Sequence, residues 1–79
     1  MKEIKVTLDV TKDFKAAVLN GGDYVFNKTL DGCGAGPDVR DVSGKDQVEF
    51  EMWEDGFASL EHWLKEYYPQ DILGITRTP

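Results

Sequence analysis

The chain has 79 residues, 41% of them hydrophobic and 30% charged, with a net charge of −6. That size and balance allow one core and one domain over residues 1–79, and exclude intrinsic disorder. The acid excess argues against direct contact with nucleic acid or anionic lipid, whose phosphates reward lysine and arginine, and favours a basic protein partner.

Residues 3–10 alternate, with Ile4, Val6, Leu8 and Val10 on one face and Lys5, Thr7 and Asp9 on the other, which predicts a half-buried strand. Thr11-Lys12-Asp13 reads as a turn. Residues 14–19 read as a second strand, with Phe14, Ala16 and Val18 on one face. Asn20-Gly21-Gly22-Asp23 offers the residues of a tight hairpin turn, and residues 24–30 return as a third strand. Three consecutive strands imply an antiparallel meander. Residues 31–38 hold three glycines and a proline and read as a loop. Residues 39–42 form a short edge strand, 43–46 a turn, and 47–53 another alternating strand, with Val48, Phe50 and Met52 opposite Gln47, Glu49, Glu51 and Trp53.

Asp55 is placed to cap a helix over residues 57–68. Phe57, Leu60, Leu64 and Tyr67 make its apolar stripe, with Trp63 beside it. Glu61 and Lys65 stand at i and i+4, and Pro69 ends the helix. Residues 70–76 fold back onto the core as a short turn or strand. The expected fold class is α+β: an antiparallel sheet of four to five strands with one main C-terminal helix packed on one face.

The single cysteine, Cys33, excludes an internal disulfide and points to a reducing cytoplasm. Met1-Lys2-Glu3-Ile4-Lys5 lacks the apolar segment of a signal peptide, and no apolar run approaches the ~20 residues of a membrane span.

Motifs for chemistry are weak. Gly32, Gly34 and Gly36 resemble the start of a dinucleotide-binding loop, but Pro37 stands where its third glycine belongs and no βαβ unit surrounds it. Gly44-Lys45 is followed by Asp46 and lacks the upstream glycine of a phosphate-binding loop. A zinc site needs about four ligands, and only Cys33 and His62 offer sulfur or nitrogen. No lysine or arginine adjoins Cys33 to lower its pKa, so it reads as an incidental thiol. A glycosidase-like carboxylate pair would need a cleft that so short a chain has little material to build. No catalytic residue, metal or cofactor is expected.

The acid excess is local. Residues 1–30 carry four acids against five lysines, whereas residues 31–66 carry ten acids against three bases. Asp38, Asp41, Asp46, Glu49, Glu51, Glu54 and Asp55 fall within 18 residues, opposed by Arg40 and Lys45. Glu49 and Glu51 are two apart on a strand, hence on one face about 6.6–6.8 Å apart. Successive phosphates of a nucleic-acid strand have a comparable spacing, so such a row suits lysines and arginines that otherwise hold a backbone. Trp53 continues the face and adds an aromatic anchor. These eight residues are the expected partner-binding set. A charged face that only keeps the protein soluble is the plainer alternative.

In size, charge and order of elements, the chain resembles the small phage-encoded anti-CRISPR proteins, especially inhibitors of type I systems, type I-C among them. The features that carry this are the opening strand with its glycine-turn hairpin, the glycine loop, the acidic strand, and the helix Phe57-Ala58-Ser59-Leu60-Glu61-His62-Trp63-Leu64. The resemblance implies a protein of the bacterial cytoplasm during phage infection. It implies binding to a Cas subunit of the crRNA-guided surveillance complex, or to its recruited nuclease, and a block of DNA binding or cleavage. The expected protein is a DNA-mimic-like inhibitor and a monomer. A rival expectation is a non-enzymatic adaptor, antitoxin-like or a phage assembly factor, using an apolar patch of Trp53, Tyr67 and Tyr68.

Overall fold

The alternation at the start of the chain forms the central strand. A computed structural model describes residues 2–21, 23–36 and 38–79. In it, β1 (Glu3–Val10) pairs antiparallel on both sides. On one side lies β3 (Gln47–Trp53), with Ile4 opposite Met52, Val6 opposite Phe50 and Leu8 opposite Val48. On the other lies β4 (Ile72–Thr78), with Leu8 opposite Ile75. A two-residue strand, β2 (Arg40–Asp41), borders β3, giving the order β2-β3-β1-β4. The expected four-strand antiparallel sheet and α+β class are therefore present.

The meander is not. Residues expected as the second and third strands are helices α1 (Lys12–Leu19) and α2 (Tyr24–Gly32). The reason is capping. Thr11 accepts a hydrogen bond from the Phe14 backbone N–H at 3.3 Å, and Asp23 accepts one from Phe26 N–H at 2.9 Å. Each side chain satisfies a donor that a helix start leaves unpaired. What is buried then follows the helical period: Phe14 and Val18 in α1, Phe26 and Leu30 in α2, while Ala16 is exposed. In segments of seven to nine residues both periods fit the apolar pattern, and the caps decide. The expected hairpin turn is a helix-to-helix connection, of which Gly22 lies outside the described residues, as does Pro37 of the glycine loop. Asp31 and Gly32 belong to the last turn of α2 and not to that loop.

The C-terminal helix α3 (Phe57–Tyr67) forms as expected, entered through a 3-10 turn at Glu54–Gly56. Gly56, not Asp55, occupies the cap position, and no side chain caps it. Leu60 and Leu64 are buried against the sheet, and Lys65 lies 3.5 Å from Glu61. All three helices cover the sheet face that carries Ile4, Val6, Leu8, Val48, Phe50 and Met52, so one core joins them to β1, β3 and β4. Burying each such side chain contributes roughly 1.5–3 kcal/mol, against about 0–1 for an exposed ion pair, so the core and not the charges holds the fold. No described helix is long and apolar enough to cross a membrane.

Close contacts tie the helices to each other, among them the edge-to-face rings of Phe14 in α1 and Phe26 in α2, 5.5 Å apart. Tyr68, just past α3, packs its ring on Phe14 at 4.7 Å and donates its hydroxyl to Asp23 at 2.7 Å. Desolvation, then the Asp23 carboxylate, pushes its phenol above the ordinary value. Gly56 lies so close to the Cys33 carbonyl oxygen that a Cβ would overlap it.

Two outcomes follow. Replacing Gly56 by Ala forces the end of α2 away from the turn into α3 and should cost about 1–3 kcal/mol in urea unfolding. For Tyr68, the raised folded pKa means its contribution is fully present below about pH 10, the unfolded value, and is lost as pH rises beyond it. Alkaline melts of Tyr68→Phe should therefore fall less steeply above that pH, from a neutral-pH stability about 1 kcal/mol lower.

Candidate functional site

The sheet has one covered face and one open face. The open face carries the odd-numbered residues of β1 and β3: Glu3, Lys5, Thr7, Asp9, Gln47, Glu49, Glu51 and Trp53. Glu49, Glu51 and Trp53 share this face, as strand parity requires.

The two glutamates are not bare. Arg40, opposite Glu49 in β2, forks its guanidinium onto both oxygens of Glu51 at 2.7 and 2.5 Å. Its Nε lies 3.6 Å from Glu49, and Lys5 Nζ reaches Glu49 at 3.3 Å from the other side. The Arg40 hydrogen bonds hold the Glu51 carboxyl below its usual range, and the two carboxylates hold the guanidinium charged well beyond any accessible pH. Paired strands have placed cations against both acids that sequence reading put at the centre of the surface.

The other expected residues scatter. Asp41 lies on the helix side of β2 and bonds Lys15 Nζ at 2.5 Å. Glu54 stands 3.7 Å from Arg77. Asp46 is exposed in the turn before β3, and Asp55 is exposed in the 3-10 turn. Asp38, by contrast, joins Glu51 and Trp53 at an open hollow of about 450 Å³. Two acids that sequence reading left out complete it: Glu3 from the start of β1, which pairs opposite Trp53, and Asp31 from the last turn of α2. The hollow thus holds four carboxylates and an indole. Among the described residues, only Glu51 of the four has an ion-pair partner.

The floor is built by residues 34–36. Ala35 bridges Met52, Gly36 N–H donates to the Glu51 carbonyl at 3.1 Å, and Trp53 N–H donates to the Gly34 carbonyl at 3.3 Å. This segment takes over the edge of β3 where β2 stops. Gly34 has a φ of +80°, and a Cβ there would touch the Trp53 ring at 3.4 Å; glycine gives the turn and lets the indole lie against it. Trp53 remains 44% exposed.

A hollow with this lining suits organic cations. The described residues contain no group of three or more His, Cys, Asp or Glu side chains placed to hold a metal ion. A guanidinium or ammonium group finds carboxylates on several sides and an aromatic ring to pack on.

The apolar patch expected from Trp53, Tyr67 and Tyr68 does not exist as one surface. Trp53 lines the hollow and Tyr68 is taken into the core. Tyr67 stacks on Trp63, ring centres 5.5 Å apart, beside Tyr24, Val25 and Lys28 in a shallow groove between α2 and α3. Cys33 borders this groove, half-buried, its thiol pushed up by desolvation and so away from the reactive thiolate form. His62 is exposed beside Trp63. Comparison of the chain with family models, curated proteins and solved structures found no match.

The ion pair gives a direct readout. In Arg40→Gln, the Glu51 carboxyl should titrate at higher pH than in the unaltered protein, measured by carboxyl-carbon NMR. Because its folded pKa is depressed, the pair's contribution to stability is present above the unfolded carboxyl value and lost as pH falls through the folded one. Acid unfolding of Arg40→Gln should lack that increment.

Proposed function

We propose that the protein is a non-enzymatic, stoichiometric inhibitor that binds the basic nucleic-acid-binding surface of another protein through the hollow formed by Glu3, Asp31, Asp38, Glu51 and Trp53. The observation that carries this reading is the convergence of four carboxylates from β1, α2, the following loop and β3 on one indole, of which, among the described residues, Glu51 alone is ion-paired. Charged and aromatic groups so arranged steer a basic partner in and then hold one of its arginine or lysine side chains. Of the other acids expected at the surface, the exposed Asp46 and Asp55 contribute to the long-range field and not to the pocket.

The proposed partner is a Cas subunit of a type I CRISPR-Cas surveillance complex, bound where target DNA would lie. Support for that identity is the resemblance in size, charge, glycine loop, acidic strand and following helix. The hairpin that formed part of it is replaced by α1 and α2. The bacterial cytoplasm during infection is the setting this reading requires.

Paired substitutions test it. Reversing both glutamates of the β3 row would break the Arg40 fork as well as the surface, so the informative variant is Glu3→Lys with Asp38→Lys. Neither residue has an ion pair among those described. Inhibition of target-DNA binding should fall at least tenfold with the thermal melt unchanged, and the unaltered protein should bind more weakly as salt rises. Undiminished inhibition by the double variant contradicts the proposal.

The groove between α2 and α3 supports a second reading, an adaptor that docks an apolar segment on Trp63, Tyr67 and Tyr24. Its binding would survive high salt and the Glu3→Lys, Asp38→Lys variant, and would be lost in Trp63→Ala.

A further inference from the structure

The hollow does not end at Asp31. A second depression, a trough of about 380 Å³, lies along α2 and shares Asp31, Ala35 and Gly36 with the hollow. Tyr24, Lys28 and Asp31 stand at i, i+4 and i+7, one exposed stripe of α2, and make its helical wall. Leu30, Ala35 and Val39 supply the rest of its apolar lining. The Ala35 N–H donates to the Leu30 carbonyl at 2.9 Å, which holds the returning chain against the end of α2.

The two ends of the trough differ in charge. Asp31 stands in the last turn of α2, where a helix favours cations and this one carries no basic residue. With Glu3, Asp38 and Glu51 in the adjoining hollow, that end attracts a positive group. Lys28 stands about one turn back, its Nζ 5.6 Å from the centre of the Tyr24 ring, and repels a second one. The Tyr24 ring is 72% exposed and joins Leu30, Ala35 and Val39 as apolar surface. A large uncharged side chain gains most against such a lining.

We propose that the trough takes a large apolar side chain from the same partner segment whose arginine or lysine enters the hollow, so that the site reads a cation and an aromatic residue two positions apart in an extended chain. The inference rests on the hollow being a cation site. Strand geometry gives the spacing. Side chains two apart on an extended segment share a face about 6.6–6.8 Å apart, whereas adjacent ones point to opposite faces. Asp31, which lines both depressions, is seven residues from Tyr24, or about 10 Å along the helix. A side chain two positions from the cation therefore falls within the trough, short of Tyr24. Charge alone draws in any basic surface; an apolar anchor beside the cation separates one basic partner from another.

Titration of the labelled whole chain with three short glycine–serine peptides, read by amide shifts, tests the proposal. Each peptide carries a central arginine and terminal lysines. The first has no aromatic residue, the second has phenylalanine two positions from the arginine on both sides, and the third has it at the adjacent positions. The second should bind at least tenfold more tightly than the first, with shifts spreading from Asp31 to Tyr24 and Val39, and the third should match the first within about threefold. Added salt should weaken all three and leave the phenylalanine gain in place, because that contact is apolar. Tyr24 is exposed, so Tyr24→Ala should stay folded, and in it the gain should fall below about threefold; Trp63→Ala, in the groove between α2 and α3, should keep it. Equal binding of the first and second peptides overturns the inference and leaves the cation site standing, whereas binding by none of them overturns the hollow as well. A gain lost in Trp63→Ala and kept in Tyr24→Ala also overturns it, because the phenylalanine then sits in the other groove.

Discussion

Everything in this structure depends on β1 being paired on both sides with its apolar face covered. Ile4, Val6, Leu8 and Val10 are each at most 2% exposed, and they receive both flanking strands from the second half of the chain. A one-residue slip in either pairing would turn a strand's apolar set to water. The register therefore fixes the core, and with it the open face. Glu3 stands beside Trp53, and Lys5 comes within reach of Glu49, because Ile4, Val6 and Leu8 must meet Met52, Phe50 and Val48.

The same constraint explains why the acidic strand is only partly a charged surface. Acids two apart on a strand face share their neighbours with the strands on either side. There, the chain supplies Lys5 and Arg40. The cross-strand pairs relieve the repulsion that bare neighbouring glutamates would carry. Uncompensated charge is displaced to the end of β3, where Glu3, Asp31 and Asp38 line the hollow with no ion-pair partner among the described residues.

The segments legible from sequence were those with enough length to show one period. β1, β3 and α3 each alternate or repeat over at least seven residues with a single consistent face. α1 and α2 were misread because Phe14, Ala16 and Val18 fit period two as well as Phe14 and Val18 fit a helix. Thr11 and Asp23, three residues ahead of Phe14 and Phe26, were the signals that distinguish the cases. On the site, parity alone placed Glu49, Glu51 and Trp53 together. Glu3, Asp31 and Arg40 required strand order and the packing of α2, which no local pattern encodes. Tyr68 was lost from the expected patch for a related reason: it stands four residues after Leu64, on the core side of the helix end, where its ring meets Phe14 and its hydroxyl reaches Asp23.

The central claim is that the hollow of Glu3, Asp31, Asp38, Glu51 and Trp53 is where a basic partner is held. Amide and indole shift mapping on the labelled protein, titrated with an arginine-rich peptide at low salt, tests this most directly. The account predicts shifts concentrated at Glu3, Asp31, residues 34–36, Asp38 and the Trp53 indole N–H, reversed by added salt. Shifts centred on Tyr24, Trp63 and Tyr67, or spread evenly over all the exposed acids, would contradict it.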